Sequence, residues 1–215
     1  MEKKYQIRLE KPQDYRRVEN LTREAFWNLH VPGCDEHYLA KVLRDSSEFI
    51  SELDFVMEVD GQIIGNIMYT NAVIKNEQGE DFQTLTFGPV SIHPHFQGQG
   101  LGSILIKHSL TRAKELGYKL VVIYGDPDYY SRFGFLQGER FDIYSNDGFY
   151  NPALQVLELV PGALNGVSGS FIEDKAYHID SRDVSKFEAT FPPKEKMETK
   201  SQIKFRDFLE KARKR

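Results

Sequence analysis

Three glycines at alternate positions, Gly98, Gly100 and Gly102, precede the apolar periodicity of a helix. A glycine-rich turn at the start of a helix can bind anions, because the first N–H groups of the helix lack partners and the helix dipole favours negative charge. Two known phosphate loops do not fit, since no lysine follows Gly102 and no glycine stands at residue 103. The pattern Gln97-x-x-Gly100-x-Gly102 therefore predicts an anion-binding loop of another type, with a purely structural turn as the alternative.

A second group of residues that could do chemistry reads Gly125-Asp-Pro-Asp-Tyr-Tyr-Ser-Arg-Phe-Gly-Phe135. A phenol with the ordinary pKa of ~10 is protonated at neutral pH, so Tyr130 could supply a proton to a leaving group. Packing of its ring in a core is the alternative. Asp126 precedes Pro127, a pair typical of a helix start, and this favours capping by Asp126 over catalysis.

The strand that must position the glycine loop is predicted at residues 84–92 and contains an irregularity. Its apolar residues occupy odd positions at Leu85 and Phe87 and even positions at Val90 and Ile92. A shift of one residue in a pattern of period two indicates a bulge or kink, and Gly88-Pro89 lies at the shift. We expect the strand to bend away from its neighbour there, or else to be an edge strand that tolerates a proline.

The residues after the loop predict a helix that runs to about Leu116 and ends at Gly117. The apolar run Leu120–Tyr124 is typical of a buried strand. Residues 84–124 therefore predict a βαβ unit with a right-handed crossover. The other predicted elements are a strand at Tyr5–Leu9, a helix from Lys11, a helix over Asp35–Arg44, a hairpin that turns at Asp60-Gly61, and strands at Leu154–Leu159 and Gly169–Ile172.

The two motifs together resemble the GCN5-related N-acetyltransferase (GNAT) family. The glycine loop is similar to the family's pyrophosphate loop, which more often has arginine where Gln97 stands. The segment Val90-Ser-Ile-His-Pro94 resembles the family's kinked fourth strand. The sequence motif from Gly125 to Phe135 resembles that of the YhbS-like branch of predicted acetyltransferases. The resemblance to the family covers roughly residues 5–150.

The resemblance implies an α/β (α+β) fold: a mixed, mostly antiparallel sheet with a splayed central strand pair, flanking helices, and a C-terminal strand and helix extension. We expect an acetyl-CoA-binding N-acetyltransferase domain over residues 1–150 and an extension with a basic helical tail over residues 151–215. The implied reaction is direct transfer of an acetyl group from acetyl-CoA to an amine of a small molecule or peptide, without a metal.

Site residues are carried over from the resemblance position by position. Tyr130 matches the family's general-acid tyrosine, and the backbone N–H of Val90 or Ser91 matches the donor to the oxyanion. The implied acetyl-CoA site comprises Val90, Ser91, Ile92, Gln97, Gly98, Gln99, Gly100, Leu101, Gly102, Ser103, Tyr130 and Phe133. The implied acceptor site includes Phe26, Trp27 and Tyr129. The general base stays open among Glu24, Glu58, His93, His95 and a chain of water molecules.

The composition limits the partners. The 215 residues carry a net charge of −4, which argues against nucleic acid as the main partner, and no apolar run is long enough to span a bilayer. Cys34 is the only cysteine, so no internal disulfide can form, and we expect a cytosolic protein.

The C-terminal residues 194–215 are basic, with nine Lys or Arg and four Asp or Glu. We expect them to dock on the acidic remainder of the chain, and a homodimer is possible on the apolar spacing of this segment. Two other function classes stay open: a CoA-binding sensor or subunit without turnover, and an RNA-associated protein that uses the basic tail.

Overall fold

The computed structural model describes residues 5–215, without the side chains of Lys204, Asp207 and Leu209. Its strands are β1 (Tyr5–Leu9), β2 (Phe55–Val59), β3 (Gln62–Lys75), β4 (Asp81–Ile92), β5 (Leu120–Tyr124), β6 (Leu136–Gln137), β7 (Ile143–Ser145), β8 (Phe149–Tyr150), β9 (Leu154–Glu158), β10 (Gly169–Ile172) and β11 (Arg213–Lys214). Its α-helices are α1 (Tyr15–Phe26), α2 (Glu36–Leu43), α3 (Leu101–Glu115), α4 (Pro127–Tyr130), α5 (Ser181–Glu188) and α6 (Lys200–Leu209).

The chain forms two compact units. The first unit contains the residues up to Tyr69 together with Gly88–Ser109 and Lys175–Ile203. The second unit contains Thr70–Phe87, Leu110–Asp174 and Lys204–Arg215. Strands β3 and β4 and helices α3 and α6 contribute residues to both units. The expected domain boundary at residue 150 stays a prediction.

The strand order is β1-β2-β3-β4-β5-β9-β6, with β10 paired to the end of β3. The pairs β1–β2, β2–β3, β5–β9 and β6–β9 are antiparallel, whereas β4–β5 and β10–β7 are parallel. These pairings confirm the predicted mixed, mostly antiparallel sheet. They also confirm the βαβ unit, because β4 and β5 are parallel and α3 connects them.

The first unit begins with the predicted antiparallel strands. Tyr5 lies opposite Val59 in β1 and β2, and the hairpin between β2 and β3 turns at Asp60-Gly61. Both turn residues have positive φ, 50° and 77° respectively, as a two-residue hairpin requires. Val18 and Leu21, on the apolar side of α1, pack against strands β2 and β3. This packing buries one face of the hairpin.

Strand β4 is continuous from Asp81 to Ile92 and is irregular where the sequence predicts it. Gly88 has φ of 154°, a value that other residues rarely adopt, and its peptide bond to Pro89 is cis. Before this point Leu85 and Phe87 are buried, and beyond it Pro89 and Ser91 are buried while Val90 and Ile92 are half-buried. Among the described residues β4 and β5 share one register pair, Leu85 opposite Val121. The pattern fits a strand that leaves its neighbour near residue 88.

The second unit has its own core around β5 and β9. The largest of its fully buried side chains is Phe171. The core comprises Ala72, Ile74, Leu120, Val122, Ile143, Leu154, Val156, Leu164, Val167 and Phe171. Two residues expected to be buried are exposed, because each lies at the end of its apolar run: Tyr124 at 42% and Leu116 at 38%.

The C-terminal residues dock on acidic side chains of the second unit, as their charge predicts. Arg213 pairs with Glu139, and Arg215 pairs with Asp142 at 2.7 Å and with Glu77 at 2.6 Å. Within residues 5–215 no helix combines the length and the hydropathy needed to cross a membrane.

Candidate active site

The glycine loop between β4 and α3 leaves open space in front of its backbone. A short 3-10 turn over Pro94–Phe96 follows β4, and α3 begins at Leu101. Gly98 and Gly100 have φ of 73° and 79°, and a Cβ atom at either position would meet no atom within 4 Å. Glycine is therefore required by the backbone conformation, while the space beside the loop is free for a ligand.

Side chains of the loop brace it from within. The Gln97 Nε2 donates to the Ile92 carbonyl oxygen at 2.9 Å, and the Gln99 Nε2 donates to the His95 carbonyl oxygen at 3.2 Å. The Ile104 N–H donates to the Gly100 carbonyl oxygen, so the three N–H groups before residue 104 precede the first bond of the helix. Gln97 thus stabilises the loop, and the loop can offer backbone amides to an anion.

The backbone of β4 presents one edge away from β3. The His93 N–H donates to the Ile64 carbonyl oxygen of β3 at 2.8 Å. Because backbone groups of successive strand residues point to opposite sides, Ser91 faces β3 as well, whereas Val90 and Ile92 face the other way. This alternation favours Val90 over Ser91 as an amide that a ligand could reach.

The Ser91 side chain has a structural partner. Its hydroxyl donates to Thr22 Oγ1 at 3.0 Å, and both residues are buried. This bond joins α1 to β4 at the residue next to Val90. The side chain of Ser91 is thereby engaged within the fold, and its backbone groups face β3.

Tyr130 lies in an aromatic cluster, which we define as Phe87, Tyr129, Tyr130, Phe133 and Phe135. The ring of Tyr130 lies 5.9 Å from Phe87, 6.2 Å from Phe133 and 5.7 Å from Phe135, centroid to centroid. Tyr129 packs edge-on against Tyr130 at 5.0 Å and carries the Arg132 guanidinium at 4.6 Å from its own ring. The structure therefore brings Tyr129, Tyr130 and Phe133 together, and their roles in binding stay predictions.

The surroundings of Tyr130 keep its phenol protonated. Burial raises the pKa of Tyr130 above its ordinary value, and the neighbouring Tyr129 and the Asp126 carboxylate raise it further. Asp126 caps α4, since its side chain accepts from the Asp128 N–H at 2.9 Å, and this confirms the predicted cap. A protonated phenol can donate, so the electrostatics suit an acid and not a base.

Gly125 is needed for the position of the Tyr130 ring. A Cβ atom at residue 125 would overlap the ring carbons of Tyr130. The Gly125 backbone is fixed on both sides, because its N–H donates to the Ala153 carbonyl oxygen and its carbonyl oxygen accepts from Gln155 Nε2, both at 2.9 Å. Gly125 therefore positions the Tyr130 ring, a role that the sequence motif by itself did not indicate.

Of the predicted acceptor residues, Phe26 ends α1 and Trp27 follows it, and the two rings have different neighbours. The Phe26 ring lies 5.8 Å from that of His30. The Trp27 indole N–H donates to the Glu195 carbonyl oxygen at 2.8 Å, with the Arg23 guanidinium 4.4 Å from its ring. Trp27 is thus held by the C-terminal extension, which sequence reasoning did not foresee.

A cleft of about 260 Å³ lies in the first unit beside α1 and the end of β4. It is lined by Arg17, Asn20, Leu21, Glu24, Gln62, Ile63 and His93. Burial and the neighbouring His95 lower the pKa of His93, while Glu24 opposes this shift. His93 is therefore available as a neutral imidazole. Of the other candidate bases, Glu58 accepts from Arg8 Nε at 2.7 Å.

An ionic cluster, defined as Arg23, Cys34, His37 and Glu188, joins α5 to the α1–α2 region. Arg23 Nη2 donates to Glu188 Oε1 at 2.5 Å, and His37 Nε2 lies 3.1 Å from Glu188 Oε2. Cys34 Sγ lies 3.4 Å from His37 Nδ1. Burial raises the pKa of the Cys34 thiol, so the thiolate that nucleophilic chemistry needs is disfavoured. The cluster is structural.

The extension continues from the ionic cluster as a strap, which we define as residues 191–202. Asn28, at φ of 58°, is its main anchor: its side chain accepts from the Met197 N–H, and its carbonyl oxygen accepts from Thr199 and Gln202 side chains. One signal in the sequence could have indicated that this part of the chain docks: Phe187 and Phe191 are spaced by one helical turn, which predicts an apolar face.

The described residues contain no group of three or more His, Cys, Asp or Glu side chains that could hold a metal ion. Comparison with known proteins finds similarity to acetyltransferases. The family model of the acetyltransferase (GNAT) domain matches residues 6–138. The uncharacterized N-acetyltransferase YhbS of Escherichia coli (strain K12) is 33% identical over 165 residues, which cover 76% of this chain and 92% of that relative.

Two solved structures are similar over most of their length. The crystal structure of E. coli YhbS in complex with CoA has a TM-score of 0.73 at 30% identity and covers 83% of this chain and 94% of its own. A GNAT family acetyltransferase from Brucella melitensis in complex with acetyl-CoA has a TM-score of 0.65 at 28% identity, with 81% and 98% covered. This chain therefore belongs to the GCN5-related N-acetyltransferase (GNAT) family of N-acetyltransferases.

Proposed function

We propose that this protein transfers an acetyl group from acetyl-CoA directly to an amine of a small molecule or peptide. The observation that carries the proposal is the outward-facing edge of β4 at Val90 and Ile92, followed by a glycine loop with open space at Gly98 and Gly100. An extended pantetheine arm can pair with such an edge like an added strand. The loop amides then suit the diphosphate.

The residues of the donor site have distinct roles in this proposal. Backbone amides from Gln97 to Ser103 bind the diphosphate, and Val90 and Ile92 bind the pantetheine arm through main-chain groups. The Val90 N–H stabilises the negative oxygen that develops on the thioester carbonyl. Phe133 supports the ring of Tyr130 within the aromatic cluster.

The reaction forms a C–N bond and breaks the C–S bond of the thioester. The attacking amine must be neutral, so a base or water takes its proton, and His93 and Glu24 in the first-unit cleft are the candidate groups. The departing CoA sulfur takes a proton from the Tyr130 phenol. The raised pKa of Tyr130 supports this role because the proton is present throughout the neutral range.

The proposal also covers the compartment and the identity of the acyl group. Cys34 is a buried, single thiol, which fits a reducing compartment such as the cytosol. Acetyl as the acyl group follows from the acetyl-CoA of the relative from Brucella melitensis.

Calorimetry with acetyl-CoA and a thiol-release assay with a panel of amines and peptide N-termini test the proposal. We expect saturable binding of acetyl-CoA and amine-dependent release of free thiol. Gly100→Glu should abolish binding, because the left-handed φ of residue 100 is strained for glutamate and its carboxylate repels the diphosphate. Gly79→Glu, the same substitution at an exposed glycine with φ of 84°, is the control.

The outcomes separate the candidate functions. Binding without thiol release from any amine would indicate a CoA-binding sensor. Normal binding by Gly100→Glu would overturn the assignment of the loop.

A further inference from the structure

The strap places a lysine beside Glu24. Lys194 Nζ donates to Glu24 Oε2 at 2.7 Å and lies 5.3 Å from the centre of the Trp27 ring. Glu24 is one of the residues that line the first-unit cleft with His93. The protein therefore holds one of its own primary ammonium groups next to an indole and to a carboxylate that belongs to the cleft lining.

A carboxylate and an aromatic face are the two groups that recognise an organic ammonium ion. The carboxylate supplies a charge-assisted hydrogen bond, and the face of a tryptophan attracts the cation through its quadrupole. Lys194 shows that both can be satisfied together at this position. We propose that Glu24 and Trp27 form the subsite for the cationic amino group of the acceptor, and that Lys194 occupies this subsite until the acceptor replaces it.

The place of the subsite fits this role. Thr22, two residues before Glu24 on α1, bonds to Ser91 of β4, and Ser91 adjoins Val90, the proposed donor to the oxyanion. His93 lies two residues further along the chain and lines the same cleft as Glu24. A bound ammonium would thus meet a neutral imidazole that can accept its proton before attack. This proton transfer to His93 rests on the proposed function, because it assumes that the bound amine accepts the acetyl group.

The Lys194 contact is weak enough to be replaced. The side chains of Lys194 and Glu24 are 33% and 42% exposed, and exposed ion pairs favour their closed form by only a few-fold. The strap itself is anchored by other contacts on both sides of Lys194. Arg23 Nη2 donates to the Pro192 carbonyl oxygen at 3.0 Å, and Thr199 Oγ1 donates to the Asn28 carbonyl oxygen at 2.9 Å. Lys194 can therefore leave while the strap stays.

The test uses n-butylammonium chloride as the probe and the fluorescence of Trp27, the only tryptophan, as the readout. The neutral analogue 1-butanol and sodium chloride at equal ionic strength are the controls. We expect a saturable change in Trp27 emission with n-butylammonium and no saturable change with either control. Lys194→Met should lower the half-saturating concentration by about threefold, because the internal competitor is removed. Glu24→Gln should raise it by about tenfold or more, because the charged partner is lost.

A matched pair of variants controls for a general effect of charge. Asp183 and Lys186 on α5 form an exposed ion pair at 2.9 Å in the same unit. Asp183→Asn and Lys186→Met should respond to n-butylammonium as the unsubstituted protein does. The inference is overturned if Glu24→Gln responds like the unsubstituted protein, if Lys194→Met shows no shift, or if 1-butanol gives the same saturation.

Activity then separates this inference from the proposed function. With an amine that accepts acetyl, Glu24→Gln should raise KM about tenfold, because binding of the ammonium is what it removes. If no amine accepts acetyl, the proposed function fails, and the fluorescence titration still decides whether the ammonium subsite exists.

Discussion

The aromatic cluster of the second unit and the ionic cluster of the first unit hold functional elements by different forces. Four of the five aromatic residues lie between residues 129 and 135, and their rings meet at centroid distances of 5.0–6.2 Å. The ionic cluster instead joins Arg23 to Glu188, which are 165 residues apart, through charge-assisted hydrogen bonds.

This difference separates effects on chemistry from effects on stability. Aromatic packing depends little on pH or salt, because it buries apolar surface. A buried histidine beside a carboxylate and a guanidinium responds to pH, because its charged form is disfavoured in the fold. Changes in the aromatic cluster should therefore alter turnover, and changes in the ionic cluster should alter how stability varies with pH.

The largest effect is expected for Tyr130→Phe. The ring and its packing are kept while the proton donor is lost, so kcat should fall by about 10²–10⁴-fold. The affinity for acetyl-CoA should be little changed. Steady-state kinetics and calorimetry measure the two quantities, and Tyr118→Phe, at a tyrosine bonded to Asn71, is the control. Unchanged turnover would remove Tyr130 from the mechanism.

The next effect is on stability and comes from His37. Burial lowers the pKa of His37 from 6.5 to about 4. Between these values the unfolded chain binds a proton and the folded chain does not, so the free energy of unfolding should decrease as pH falls from 6.5 to 4. The loss from this group is up to about 3 kcal/mol.

Urea unfolding at a series of pH values measures this slope. His37→Gln removes the titrating group and should flatten the slope over this range, whatever its effect on stability at pH 7. An equal slope in His37→Gln would show that another group is responsible.

The smallest effect in this series is expected for Gly125→Ala. The added methyl group overlaps the Tyr130 ring and displaces it, so kcat should fall by about tenfold while acetyl-CoA affinity is kept. Ser131→Ala, an exposed change in the following turn, is the control. The positioning role is refuted if Gly125→Ala and Ser131→Ala turn over equally. If Gly125 acts through Tyr130, the double variant Gly125→Ala/Tyr130→Phe should be no slower than Tyr130→Phe alone.

Several features of the fold could be predicted because they depend on neighbouring residues. The positive φ values at Asp60-Gly61 follow from the hairpin signal, and the irregularity of β4 follows from the shift at Gly88-Pro89. The Asp126 cap follows from an Asp-Pro pair. In each case residue types within a few positions restrict the backbone directly.

Other features were predicted only in part. Tyr124 ends an apolar run but is exposed, since burial at the end of a strand depends on what covers it. The assignments of Trp27 to the acceptor site and of Ser91 to the acetyl-CoA site stay predictions. Their side-chain contacts, with the Glu195 carbonyl oxygen and with Thr22 respectively, join residues far apart in the sequence and are not indicated by the motifs.

The sequence by itself determined the family motifs, the glycine loop, the aromatic segment around Tyr130 and the docking of the basic C-terminus on acidic residues. Only the tertiary structure decided that Glu188 meets Arg23 and that Lys194 meets Glu24. The physical reason is range. Local conformation is set by steric limits on a few adjacent residues, whereas these contacts form only where packing of Phe187 and Phe191 against Arg16 of α1 and its neighbours outweighs the entropy of closing a loop of more than 160 residues.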